Sequence, residues 1–166
     1  MAANAMTAAH ECAKQNFQNN FMTYILTIYE EAKGQPRPRA FVRGGRGAVY
    51  DPCTANNYKH AIVLEARRLE YADMCLDTPV CVYIDVFVKR PKSHFRANGE
   101  VKPLAPALHT QKPDADNIAK AVLDALTTAG VLRDDKCVYG LTIRKYWAGG
   151  DATHRTEITI RADEDK

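Results

Sequence analysis

The chain has 166 residues, of which 46% are hydrophobic and 26% are charged, with 23 Lys and Arg against 20 Asp and Glu. This length suits one domain that buries a core without a disulfide or metal staple, and the composition excludes wholesale disorder, collagen and coiled coil. No run approaches the roughly 18 apolar residues of a membrane helix, and no secretory signal begins the chain. We therefore expect a cytoplasmic protein whose scattered cysteines are reduced.

The first half of the chain predicts a leader, a strand, a loop, a helix and a second strand. Residues 1–21 are small and polar, which indicates a flexible leader. Residues 24–30 alternate loosely as a strand, and the Gly, Pro and Arg residues of 33–46 predict a loop. Apolar residues recur at helical spacing over 55–76, and the β-branched run 80–88 predicts a buried central strand.

The second half predicts a helix followed by two strands. Residues 91–113 hold four prolines, too many for regular structure. Residues 118–129 carry a clear apolar stripe, and Gly130 follows as the C-terminal cap. Residues 137–147 and 153–161 alternate and are joined by a turn, which predicts a hairpin.

This order of elements predicts a fold class. It indicates a single compact α+β domain over residues 22–161, in which a small mixed or antiparallel sheet is packed by two main helices. An acidic tail, 162–166, follows the domain.

Two carboxylates near the start of the second helix carry the functional signal. Pro113 favours extended backbone here, where residues two apart face the same way, so Asp114 and Asp116 are predicted to converge. Lys120 lies one helical turn after Asp116, and we expect Asp124 to pair with it. Converging carboxylates repel unless a cation joins them, and Mg²⁺ takes such ligands together with water and substrate phosphate. These residue types fit metal-dependent phosphodiester hydrolysis.

Other interpretations of this segment remain. A lone D-x-D before a helix is more often a cap with a solvated neighbour, and Asp134–Asp135 also suits a polar turn. An EF-hand loop from Asp114 fails, because Ala119 and Ala125 occupy its required Gly and Glu positions. There is no Walker loop to cradle phosphates.

The wider pattern resembles a known family. It consists of Lys112-Pro113-Asp114-Ala115-Asp116-Asn117, Lys120, Asp124-Ala125-Leu126, Gly130-Val131-Leu132, Asp134-Asp135 and Lys145. With residues 34–39 and 89–94, this pattern resembles the RusA family of Holliday-junction resolvases over roughly residues 22–161.

The resemblance implies a homodimeric endodeoxyribonuclease of bacteria or their phages that makes paired, symmetric nicks across four-way DNA junctions in recombination and repair. It implies Mg²⁺ as cofactor, with Mn²⁺ as a substitute. Asp114, Asp116 and Asp135 match the metal-binding catalytic aspartates and Lys120 the catalytic lysine, whereas Asn117 is assigned to capping. The residues then expected to bind DNA phosphates are Arg37, Arg39, Arg43, Arg46, Lys89, Arg90 and Lys92.

Two alternatives to this function stay open from the sequence. A nuclease for flaps, forks or other branched DNA would use the same catalytic residues. A junction-binding module without catalysis would keep the basic segments but would not need the three aspartates to converge.

Overall fold

The computed structural model describes residues 21–37, 39–50, 52–150 and 152–163. Residues 1–20 of the predicted leader and 164–166 of the predicted tail lie outside the described residues. Phe21 begins the first strand, and Ala162 and Asp163 end the last one.

Four strands form a mixed sheet, and two further strands form a separate ribbon. The main-sheet strands are β1 (Phe21–Ile28), β4 (Val80–Val88), β5 (Val138–Trp147) and β6 (Arg155–Asp163), in the order β1-β6-β4-β5. Strands β2 (Arg39–Arg43) and β3 (Arg46–Tyr50) pair with each other, and the helices are α1 (Asn56–Arg68) and α2 (Ala115–Thr128). The predicted single α+β domain with two helices and a mixed sheet is confirmed. Within the described ranges, no helix is long and apolar enough to span a membrane.

Strand β4 is the centre of the core, as its continuous apolar sequence predicts. Alternate side chains, from Val80 to Val86, are buried, and both helices pack on that side of the sheet. β4 pairs with β5 in parallel and with β6 in antiparallel register, so both of its edges are hydrogen-bonded. A buried strand needs both partners, because unpaired backbone groups away from water are costly.

The predicted hairpin between the last two strands is wrong. β5 and β6 lie on opposite sides of β4 rather than beside each other. Their connection crosses the end of β4, where the Ala148 amide donates to the Val88 carbonyl at 2.8 Å. Alternation along a strand shows which face is buried, but it does not show which strand is the neighbour. The turn sequence between β5 and β6 is also compatible with a connection that crosses the end of β4.

Two other predictions of local structure need correction. The predicted loop over 33–46 contains β2 and the start of β3, joined through Gly44 and Gly45, which both have positive φ. The first helix ends at Arg68 rather than at residue 76, and Glu70 has a φ of 59°. That left-handed residue stops the helix, although the apolar spacing continues beyond it.

Helix α1 is anchored to the sheet by one buried hydrogen bond. Tyr58 is fully buried, and its hydroxyl donates to Thr156 Oγ1 on β6 at 3.0 Å. Burial raises the pKa of Tyr58 to about 12, so the phenol stays neutral as a donor.

Helix α2 begins about one turn earlier than predicted and ends at the predicted cap. Gly130 has a φ of 72°, its amide donates to Thr127 O, and the Val131 amide donates to Leu126 O, both at 3.0 Å. This pair of bonds is the Schellman arrangement that a glycine at this place favours. A β-carbon at Gly130 would lie 3.0 Å from the backbone nitrogen of Asp73.

We expect Gly130→Ala to lower the free energy of unfolding by about 1–3 kcal/mol, because alanine is strained at positive φ and meets backbone there. Chemical denaturation measures this change. Gly149→Ala is the control, since a β-carbon at Gly149 meets nothing within 4 Å. Equal stability of the two variants would contradict this account of the cap.

Candidate functional site

The N-terminus of α2 presents the two predicted carboxylates to solvent. Asp114 is the N-cap residue with extended backbone, and its side chain makes no capping hydrogen bond. Asp116 lies in the first helical turn, so the prediction that both residues share one extended stretch is wrong. Asn117 also lies within the helix rather than at its cap. Asp114 and Asp116 are both exposed.

Lys120 lies one turn after Asp116 on the same helix, as predicted, and it too is exposed. Four residues of an α-helix rise by about 6 Å, which keeps the two side chains within reach of one ligand. Asp124 does not pair with Lys120, since it accepts from Lys59 of α1 at 3.0 Å. Among the described residues, the side chains of Asp114, Asp116 and Lys120 make no ion pair with one another or with a neighbour.

A lysine from β5 holds the backbone that leads into the carboxylates. Lys145 Nζ donates to Gln111 O at 2.6 Å and to Pro113 O at 2.7 Å. The Lys112–Pro113 peptide bond is cis. These contacts tie the segment before Asp114 to the end of the sheet. In the sequence, Lys145 stands out only as part of the family pattern. Nothing in the local sequence indicates its contact with Pro113, 32 residues away.

The segment after β1 also docks against this helix end. The Gln35 amide donates to Asn117 O at 2.8 Å. A β-carbon at Gly34 would lie only 2.9 Å from Asn117 Cβ, so glycine permits this close approach. Arg37, which is exposed, follows two residues later. The structure therefore brings the first basic segment to the same end of α2 as the carboxylates.

The third predicted aspartate lies elsewhere. Asp135 is exposed beside the C-terminal half of α2, in a groove whose other lining residues are Lys59, Asp124, Thr127, Thr128, Arg133 and Asp134. Asp124, which lines this groove with Asp135, is already eight residues from Asp116, or about 12 Å along the helix axis. In the part of the chain that is described, no three His, Cys, Asp or Glu residues form a metal-binding group. One chain thus brings Asp114, Asp116 and Lys120 together but not Asp135.

Asp134 belongs to a turn. It is the N-cap of a short 3₁₀ helix, Asp135–Cys137, and its carboxylate accepts from the Lys136 amide at 3.0 Å. That hydrogen bond lowers the pKa of Asp134 below its ordinary value. The polar-turn interpretation of this residue therefore has a structural basis.

The carboxylates at the start of α2 suit a hard cation. Asp114 and Asp116 offer oxygen ligands that no cation of the described chain occupies, beside the positive end of a helix that also attracts anionic phosphate. Mg²⁺ characteristically binds one or two carboxylates and keeps its remaining positions for water and substrate phosphate. The donor set at this helix end fits such an ion, although it lacks the third predicted aspartate of the same chain.

The predicted DNA-binding residues differ in their surroundings. Arg37, Arg46, Lys89 and Lys92 are exposed, whereas the side chains of Arg39 and Arg43 lie outside the described part of the structure. The guanidinium of Arg90 binds backbone carbonyls of its own chain. Its Nε donates to Ala148 O at 2.8 Å and its NH1 to Pro106 O at 2.9 Å, which ties the 91–113 segment to the end of β5.

A packed aromatic cluster lies next to Lys145. Trp147 is contacted edge-on by His94 and by His109, at ring-centroid distances of 4.9 and 4.5 Å. His109 is only 5% exposed, and burial together with the nearby Lys145 charge lowers its pKa. Both histidines therefore pack against Trp147 in this structure.

Comparisons with known proteins identify the family of this chain. Residues 30–161 match the family model described as endodeoxyribonuclease RusA. The uncharacterized protein YqaN of Bacillus subtilis (strain 168) is 30% identical over 138 residues, which cover 82% of this chain and 94% of YqaN. Because the family match spans most of the chain and contains the whole of the site, the protein belongs to the endodeoxyribonuclease RusA family.

Proposed function

We propose that this protein is a Mg²⁺-dependent endonuclease that resolves four-way DNA junctions by paired, symmetric nicks, acting as a homodimer. The observation that carries the proposal is the group formed by Asp114, Asp116 and Lys120, which share one helix end and make no ion pair within the described chain. Unpaired charges of both signs on a rigid helix suit the binding of a metal and a phosphate.

Each residue has a distinct task in the proposed reaction. Asp114 and Asp116 would hold Mg²⁺, which when bound activates water and stabilises the leaving 3′ oxygen. Lys120 neutralises charge on the scissile phosphate. Lys145 fixes the carbonyls before Asp114 and so limits the directions in which that carboxylate can point.

The position of Asp135 supports a dimeric site. Asp135 lies beside the C-terminal half of α2 in its own chain, so we assign it to the site that Asp114 and Asp116 form in a second copy. A two-fold axis would place the start of α2 in one copy near Asp135 of the other and would create two equivalent sites. Two such sites match the two symmetric cuts that resolve a four-way junction.

Asp116→Asn should lower the cleavage rate by about 100-fold or more, because it removes a metal ligand. Junction binding should persist or tighten, since a negative charge near phosphate is lost. Labelled four-way junction, fork and linear duplex, each with Mg²⁺ or with EDTA, provide the assay. The matched control is Glu100→Gln, an exposed carboxylate in the 91–113 segment.

Paired nicks confined to the four-way junction, abolished by EDTA and in the variant, would support the proposal. Cutting mainly at the fork would instead favour a nuclease for other branched DNA. Tight junction binding with no cleavage by the wild-type protein would favour a binding module without catalysis.

Subunit mixing tests the dimeric site. Asp116→Asn and Asp135→Asn homodimers should both be inactive, whereas a heterodimer of the two contains one complete site and should nick one strand of the junction. Differently tagged subunits allow the heterodimer to be purified and assayed. An inactive heterodimer would place Asp135 in its own subunit's site, whereas an active Asp135→Asn homodimer would place Asp135 outside the reaction.

The proposed phosphate-binding residues are Arg37, Arg39, Arg43, Arg46, Lys89 and Lys92, and we assign Arg90 to holding the 91–113 segment instead. We expect Arg37→Ala to reduce the slope of log affinity against log salt by about 0.9, the value for one phosphate contact. Binding titrations between low and moderate salt measure the slope. Arg68→Ala is the control, because Arg68 is paired with Glu65 on α1. An unchanged slope in Arg37→Ala would place Arg37 off the DNA.

A further inference from the structure

A groove with a volume of about 540 Å³ lies between the two helices, and we call it the α1–α2 groove. Asn56, His60, Val63 and Arg67 line it from α1, and Thr128 lines it from the last turn of α2. The four α1 residues are spaced by four, three and four positions, so they form one stripe along the helix. The stripe reaches from the first turn of α1 to its last.

The polar side chains of this stripe are not used by the fold. Asn56, His60 and Arg67 are exposed, and none of the three makes a side-chain hydrogen bond or ion pair with another described residue. Val63 is buried and supplies an apolar part of the groove wall. The amide, imidazole and guanidinium groups are therefore available to a ligand that lies in the groove.

The charge of the groove is positive. Its lining includes Lys59, His60 and Arg67, and no Asp or Glu is among the described residues that line it. Lys59 is paired with Asp124, whereas Arg67 has no counter-ion in the part of the chain that is described. An unpaired guanidinium beside neutral hydrogen-bond donors favours an anionic ligand, and Arg is well suited to bind phosphate.

The length of the stripe favours a polymer over a small anion. Asn56 and Arg67 are eleven residues apart, or about 16 Å along α1, which equals about five base steps of duplex DNA. A single phosphate or carboxylate would occupy only part of this length. Arginine, asparagine and histidine side chains spread along one line suit a backbone that carries phosphates at regular intervals.

The α1–α2 groove adjoins the groove that contains Asp135. Lys59 and Thr128 line both of them. The proposed function assigns Asp135 to a cleavage site, so DNA bound at that site passes close to the α1–α2 groove. Among polyanions, DNA is therefore the ligand that this position favours.

We propose that the α1–α2 groove binds the phosphate backbone of a duplex arm of the DNA substrate, with Arg67 on one phosphate and Asn56 and His60 donating hydrogen bonds beside it. This inference rests on the proposed function, since it assumes a DNA substrate that reaches Asp135. It adds α1 to the surfaces proposed to contact DNA and gives the groove no part in the cleavage chemistry.

Two neighbouring arginines of α1 provide the test and its matched control. Arg67→Gln removes the unpaired charge from the groove and keeps a good helix former. Arg68→Gln removes an equal charge one residue away, where the guanidinium is paired with Glu65 and does not line the groove. His60→Lys adds a positive charge to the groove and provides a test in the opposite direction.

Affinity for a four-way junction is measured in EDTA over a series of salt concentrations. Arg67→Gln should reduce the slope of log affinity against log salt by about 0.9 and weaken binding by about eightfold at about 0.1 M salt, the values for one phosphate contact. His60→Lys should increase the slope by a similar amount. Arg68→Gln should keep the wild-type slope.

Neutral methylphosphonates, placed one at a time along an arm of the junction, locate the contact. At one position the replacement should weaken wild-type binding by about eightfold but leave the affinity of Arg67→Gln unchanged, because that contact is already lost. At the other positions the two proteins should respond equally.

Several results would overturn the inference. Equal slopes in Arg67→Gln and Arg68→Gln, or equal responses of wild type and Arg67→Gln at every methylphosphonate, would reject the role of the groove while junction binding and cleavage by the wild type still supported the proposed function. Dissociation of the dimer in Arg67→Gln, measured by sedimentation, would show that the groove packs on a second copy. A wild-type protein that bound no DNA would reject both this inference and the proposed function.

Discussion

The burial of one side of α2 is the constraint on which the candidate site depends. Ile118, Val122 and Leu126 are fully buried in the core that α2 shares with α1 and the sheet. Burying each such side chain stabilises the fold by roughly 1.5–3 kcal/mol, which fixes the rotation of the helix about its axis. Asp116 and Lys120 lie on the opposite side and are therefore held in solvent without needing partners of their own.

The end of this helix is fixed by polar contacts with distant parts of the chain. Lys145 reaches it from β5, and the backbone of Gln35 reaches it from the segment after β1. Both contacts use backbone carbonyls of the helix end, so the carboxylates of Asp114 and Asp116 remain available. Because the contacts that fix the helix end do not use the carboxylates, the fold can hold two like charges near each other in solvent. A bound cation would relieve their repulsion.

The main sheet with its two helices and the ribbon of β2 and β3 are held in different ways. The helix that carries the proposed site packs on the buried core, whereas β2 and β3 pair only with each other. Arg90 shows that basic residues near each other in sequence can have different roles, because its guanidinium binds backbone carbonyls while Lys89 and Lys92 remain exposed. The overall charge of +3 gives no hint of this separation.

The sequence by itself determined the two helices, the central strand β4, the cap at Gly130 and the placement of Asp116 and Lys120 on one helix face, because these depend on local periodicity and backbone preference. Only the tertiary structure decided that β4 separates β5 from β6, that Lys145 holds the segment before Asp114, and that Asp135 lies beside the other half of α2. These features join residues far apart in the chain, and periodicity carries no information about which distant elements become neighbours.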